Sequence, residues 1–223
     1  MTPERIKEYL ITIPAVLLVI MLHELAHGIT AYKLGDPTAK RMGRLSLNPL
    51  KHLDIVGTIC MVFFHFGWAK PVPVNLGYFR NPKRDMAITA LAGPLTNFLL
   101  AFLAIPLCFW ANRGFYEIVI TYGIDSFAAR FMDVLCEFLA IFHFVNLGLG
   151  TFNLIPLPPL DGSRILFSFL PDRYYFSIMR YERYIALGLM ILVLLGANFG
   201  FLNKISSAIS YRMQDFWRLF PIF

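Results

Sequence analysis

Long unbroken apolar runs dominate this chain, where a soluble fold would show alternating or three-to-four-spaced stripes. The first, from about Tyr9 to Leu34, is long enough to cross a bilayer, although it contains His23, Glu24 and His27. A second runs from about Met86 to Trp110 with Pro94 and Pro106 inside it, a pattern that membrane helices tolerate better than soluble ones. A third covers Phe131 to Phe152 and a fourth Tyr184 to Phe201. Each predicts a spanning helix. From 203 to 223 the pattern changes: Ile205, Ile209, Met213, Phe216, Trp217 and Phe220 recur at three- and four-residue steps with Lys204, Arg212 and Arg218 between them, which predicts an amphipathic helix in the membrane interface.

Two stretches resist a helical reading. Ile55 to Trp68 is apolar but short and interrupted by Gly57, His65 and Gly67, so it predicts a re-entrant segment. It continues into Ala69-Lys-Pro-Val-Pro-Val-Asn75, where alternating Pro and Val predict an extended, strand-like backbone, the whole irregular region covering 55–79. The second stretch, Asn153-Leu-Ile-Pro-Leu-Pro-Pro-Leu-Asp-Gly162, breaks the third span. Broken backbone at membrane depth is tolerated only where protein buries it or a watery cavity faces it, so 153–162 is a candidate site on backbone grounds alone.

The expected fold is therefore an all-α polytopic membrane protein. It is one membrane-embedded domain over 1–223, with about four transmembrane helices (9–34, 86–110, 131–152 and 184–201), a short re-entrant or β segment and a proline-broken helix. Composition agrees: 57% of residues are hydrophobic and 15% charged, and 223 residues leave little for a separate soluble domain. The first run also resembles a signal peptide, but Glu4 and Glu8 dilute its basic end and three ionisable groups follow its apolar part.

The net charge of +6 changes little, because the basic residues flank apolar runs and no basic aromatic platform appears, so no nucleic-acid partner is expected. Cys60, Cys108 and Cys136 lie scattered in or near apolar segments and suggest neither disulfides nor a thiolate metal site.

Candidate chemistry lies inside the first span. His23-Glu-Leu-Ala-His27 is an H-E-x-x-H pattern: residues four apart share a helix face, so both imidazoles can reach one ion while Glu24 points toward its water. Ionisable groups at this depth cost about 2.5 to 3.5 kcal/mol each on insertion scales, and a zinc ion is a partner that offsets the cost. The bland alternative is a pair of packed histidines with Glu24 in a buried pair. A catalytic zinc wants a third protein ligand and an open position. Asp161, a lone carboxylate beside Gly162 on the broken segment, is the best candidate, with a helix N-cap as the equal alternative. His143 is expected to be a packed or pore-lining residue, since eighteen helical positions would put it about 27 Å from Asp161. His52 is expected in solvent and His65 in interfacial packing.

Four segments in order, His23-Glu-Leu-Ala-His27-Gly28, Gly67-Trp-Ala-Lys-Pro-Val-Pro-Val-Asn75, Ala92-Gly-Pro-Leu-Thr-Asn97 and Asn153-x-x-Pro156-x-Pro158-x-x-Asp161-Gly162, resemble the site-2 protease family of intramembrane zinc metalloproteases, peptidase family M50. The resemblance covers roughly residues 10 to 170. It implies one Zn²⁺ per chain held by His23, His27 and Asp161, Glu24 as catalytic base, Asn153 near the reacting carbonyl, and a transmembrane protein as substrate. Many relatives carry a PDZ-type domain between the second and third core spans. Here only about twenty residues separate them, which predicts a compact form without it.

Orientation follows from charge and parity. His27 and Asp161 can meet only if one full span separates the first from the third, which keeps Ile55 to Trp68 from crossing. Of the lysines and arginines, nine lie in 33–84 and four in 154–183, against seven elsewhere, so the positive-inside tendency turns the catalytic end toward the cytoplasm of a cell membrane, plasma or inner. The competing reading is a non-catalytic metal-binding multi-pass protein or a transporter. Against transport stands the single broken segment without a matching repeat.

Overall fold

The computed structural model describes residues 2–54, 57, 70–195 and 200–220. Helix α1 (Pro3–Lys33) starts with Glu4 in its first turn and ends with Lys33 in its last, each charge complementing the helix dipole. It stops because Gly35 takes φ 108°, letting the Asp36 N–H reach back to Ala31 O (2.9 Å) and the Gly35 N–H to Tyr32 O (3.1 Å), the two bonds of a Schellman cap. Short helix α2 (Thr38–Arg41) follows, then single 3₁₀ turns at Pro49–Lys51 and Leu76–Tyr78.

Helix α3 (Pro82–Tyr122) has 41 residues and spans about 60 Å at 1.5 Å per residue, well beyond the sequence estimate of 86–110. Four residues separate it from α4 (Phe127–Asn153), with Gly123 at φ 83° making the turn. No PDZ-type domain fits in that connection. The remaining helices among the described residues are α5 (Asp161–Phe167), α6 (Asp172–Arg180), α7 (Glu182–Leu194) and α8 (Gly200–Trp217).

Three helices, Glu4–Lys33, Pro82–Tyr122 and Phe127–Asn153, are long and apolar enough to cross a membrane, and the chain is a membrane protein. On α3, Leu95, Leu99, Leu103 and Leu107 are exposed at strict four-residue steps, which forms an apolar ridge suited to lipid. The fourth expected span, 184–201, is described only in part. Its described part is the 13-residue α7, about 20 Å long and shorter than a bilayer core, and residues 196–199 lie outside the description.

The expected re-entrant stretch, Ile55 to Trp68 with His65, falls outside the described residues except for Gly57. From Lys70 to Asn75 the backbone forms neither helix nor sheet, and no strand occurs among the described residues. In place of the expected strand, the N–H groups of Lys70, Val72 and Asn75 donate to His52 O, Glu24 Oε2 and Asp36 Oδ2.

The chain divides into two compact units. The first comprises residues 1–19, 97–149 and 201–223. Within it Asn97 Nδ2 donates to Asn146 Oδ1 (2.8 Å), and His143 places Nδ1 2.8 Å from Ala101 O and Nε2 2.8 Å from Ser210 Oγ. The Trp217 indole N–H donates to Phe102 O (3.0 Å). One face of α8 is thus fastened to α3 and α4 by buried polar contacts. His143 is a packed histidine, 4% exposed.

The second unit comprises residues 20–96 and 150–200. Its apolar cluster joins Ala31, Phe79 and Met86, with Leu34, Val74 and Leu76 packed against them. His52, expected in solvent, is 2% exposed, with Nε2 2.9 Å from Ser46 O and its own carbonyl accepting from Lys70 N–H (2.9 Å). The loop after α2 folds under the extended segment, a long-range contact that local sequence does not announce.

Candidate metal centre

The second unit holds every residue of the candidate site. His23, Glu24 and His27 lie in the C-terminal half of α1, and Asp161 is the first residue of α5. The two imidazoles occupy one helix face, with Nε2 atoms 3.0 Å apart and rings nearly perpendicular. Asp161 Oδ2 lies 3.3 Å from both. The N-cap of α5 is Leu160, and no side chain caps it, so the Asp161 carboxylate is turned to the imidazoles rather than to the helix end.

Three donors with edges of 3.0, 3.3 and 3.3 Å suit zinc closely, because bonds of about 2.05 Å in a tetrahedron put neighbouring ligands about 3.3 Å apart. Two imidazoles and one carboxylate are also a donor set found at catalytic zinc. The tautomer agrees. His27 Nδ1 is 2.7 Å from the Thr89 carbonyl, which can only accept, so the ring proton sits on Nδ1 and the Nε2 lone pair faces the other two donors. His23 and His27 are 5% and 8% exposed, so little water competes for these atoms.

Close backbone approach brings these pieces together. A Cβ on Gly93 would overlap His27 Nε2 and Cε1 and His23 Cε1, so only glycine lets α3 come this near. A Cβ on Gly162 would overlap the backbone of Leu154 and Ile155, where 153–160 doubles back before α5. From 154 to 160 there is no regular helix, and a cis peptide joins Pro158 and Pro159.

A cavity of about 440 Å³ opens on the cluster, lined by His23, Glu24, His27, Asn153 and Asp161 together with Pro71, Val72, Arg164 and Glu182. Arg164 and Glu182 pair across 2.6 Å. Glu24 is not among the three clustered donors, and its Oε2 accepts the Val72 N–H at 2.7 Å. The structure therefore gathers the five residues singled out in the sequence around one cavity. Sequence reasoning missed the roles of Thr89 and Gly93, of the Val72 amide and of the Arg164–Glu182 pair. A backbone carbonyl or amide leaves no mark in the residue it belongs to, whereas Gly93 stood in a quoted motif without a reason attached.

Apolar spanning helices that carry a buried two-histidine, one-carboxylate cluster, with a glutamate beside it that is not one of the three clustered donors, point to a membrane metallopeptidase class. Comparison with known proteins agrees. The profile of peptidase family M50 matches residues 11–197, and the chain belongs to that family and is a metalloprotease. It is 44% identical over 165 residues to YwhC of Bacillus subtilis, provisionally named a zinc metalloprotease, covering 73% of this chain and 70% of that one. It is 30% identical over 158 residues to Rip2 of Mycolicibacterium smegmatis, named in the same way, covering 69% of this chain and 55% of Rip2. A protein of Methanocaldococcus jannaschii with the same kind of name is 30% identical over 160 residues, 71% of this chain and 70% of its own. No solved structure matches the chain.

Proposed function

We propose that this protein hydrolyses peptide bonds within transmembrane segments of other membrane proteins, with His23, His27 and Asp161 holding one zinc ion per chain and Glu24 as general base. The observation that carries the reading is the convergence of His23 Nε2, His27 Nε2 and Asp161 Oδ2 within 4.8 Å of one another beside Glu24, in a chain whose helices suit a bilayer. The names of the M50 relatives support zinc as the metal.

Bound zinc supplies Lewis acidity, which lowers the pKa of water to about 7 and polarises a peptide carbonyl. Glu24 accepts the proton of the attacking water on a carboxylate oxygen and delivers it to the departing amine nitrogen, so the same group serves as base and then acid. The Thr89 carbonyl keeps His27 in the tautomer that presents Nε2. Asn153, on the cavity wall, supplies an amide donor to the oxyanion that develops on the attacked carbonyl. A helical substrate must unwind to expose that carbonyl, because its own i→i−4 hydrogen bonds cover it. The lysine and arginine distribution turns this end of the protein toward the cytoplasm.

The test is Glu24→Gln in the purified full chain, measured for zinc and for cleavage of co-expressed single-span membrane proteins that the unaltered protein cuts. Retained zinc with cleavage lowered about 10²- to 10⁴-fold is the expected result. Full cleavage by the variant refutes the proposed chemistry. A unaltered protein that binds zinc yet cuts no membrane protein leaves the non-catalytic metal-binding or transport reading in its place.

A further inference from the structure

Arg44 lies in the loop after α2 and is 7% exposed, yet no carboxylate among the described residues pairs with it. A buried guanidinium needs compensation, and here two backbone carbonyls provide part of it: Nη2 donates to Lys70 O (2.5 Å) and to Pro71 O (3.3 Å), while Nε is buried without a hydrogen-bond partner. The second contact matters for the site. Pro71 O and Val72 N belong to one peptide unit, and the N–H on its far side donates to Glu24 Oε2 at 2.7 Å. The order is guanidinium, carbonyl oxygen, amide hydrogen, carboxylate, which places a cation and an anion at opposite ends of one peptide dipole.

The flanking residues restrict what else that backbone can do. Pro71 and Pro73 have no N–H, so Val72 carries the sole amide donor from 71 to 73, and both rings fix φ near −65°. The segment is tied on either side, with Lys70 N–H donating to His52 O (2.9 Å) and Asn75 N–H to Asp36 Oδ2 (2.7 Å). Asp36 is fully buried and also accepts from Thr38 N (2.9 Å) and Thr38 Oγ1 (2.5 Å). This segment directs its central donor at Glu24.

We propose that Arg44 is a positioning residue for the general base, holding the Glu24 carboxylate through the Pro71–Val72 peptide. The inference rests on the reading of Glu24 as base. A guanidinium on the carbonyl draws electron density toward oxygen and strengthens the N–H as a donor, so the bond to Glu24 is firmer than an ordinary neutral amide would make it. One carboxylate oxygen is thereby occupied and oriented, and the other is kept for the water proton.

The experiment compares the unaltered full chain with Arg44→Gln, Arg44→Lys and Glu24→Ala in detergent, reading residue-level amide hydrogen exchange, zinc content, and kcat and KM on a quenched fluorescent transmembrane peptide that the unaltered protein cleaves. Expected for Arg44→Gln are unchanged zinc, KM within about twofold, kcat lowered about tenfold or more, and Val72 exchange at least about tenfold faster while Asn75 stays protected. Arg44→Lys should recover part of kcat. Loss through KM alone, or Val72 protection unchanged in both Arg44 variants, overturns the proposal. If Arg44→Gln does not fold, Arg44→Lys and Glu24→Ala decide: Val72 must lose protection in Glu24→Ala, and a Val72 amide as protected there as in the unaltered chain refutes the coupling. Should Glu24→Ala keep full cleavage while Val72 exchange accelerates as expected, the hydrogen-bonded coupling stands and the base assignment is what fails.

Discussion

Gly93 of α3 lies against the ring of His27, so near that a single added methyl group would occupy the space of Nε2 and Cε1. The same methyl would reach His23 Cε1. Two imidazoles from one helix are thus held in place by the bare backbone of another, whose Thr89 carbonyl, one turn earlier, accepts the hydrogen bond from His27 Nδ1–H.

Gly93→Ala is therefore expected to push both rings off the shared point and to lower zinc affinity by about 10- to 100-fold, the range typical for disturbing the partners of metal ligands. Zinc titration of the purified variant against the unaltered protein reads it directly. Equal affinity would show that α3 yields and that the close approach does not hold the rings.

Asp161→Asn should weaken zinc binding itself, because a neutral amide is a poorer ligand than a carboxylate. A purely structural role for Asp161 in the first turn of α5 makes the opposite forecast, with zinc unchanged and only the unfolding temperature moved. Metal stoichiometry together with thermal unfolding separates the two.

Asn153→Ala should keep zinc and slow cleavage by about 10²- to 10³-fold if its amide steadies the developing oxyanion. An unchanged rate with normal zinc content would reduce Asn153 to a lining residue of the cavity.

Lys51 and Lys70 bracket the stretch proposed as re-entrant. The Lys51 ammonium group donates to Gly43 O (3.2 Å), and Lys70 N–H bonds back to His52 O, so the two ends of the stretch lie together in the fold. Cysteines introduced at 51 and 70 should react with an impermeant reagent from the same side of the membrane, the cytoplasmic one. Labelling from opposite sides would make Ile55 to Trp68 a true span.

The sequence by itself determined the membrane class, the three long helices and the pairing of His23 with His27. Each depends on a local regularity: apolar runs report the solvent, and a four-residue step reports the helix face. It also marked Asp161-Gly162 as unusual, since prolines forbid regular helix before it. Local patterns misjudged extent and surroundings. α3 runs on to Tyr122 through Gly114, because a lone glycine inside a helix costs only about 1 kcal/mol, and the turn comes at Gly123, whose φ of 83° ends the helix. His52 is buried because a distant segment folds over it. Only the tertiary structure decided that Asp161 turns to the imidazoles rather than capping α5, that Gly93 admits α3 to the ring edges, and that Arg44, Val72 and Glu24 share one peptide. These relationships join backbone atoms to side chains far away in sequence. Every residue has the same N–H and C=O, proline alone lacking the donor, so where those groups point is settled by packing and not by the identity of the residue that carries them.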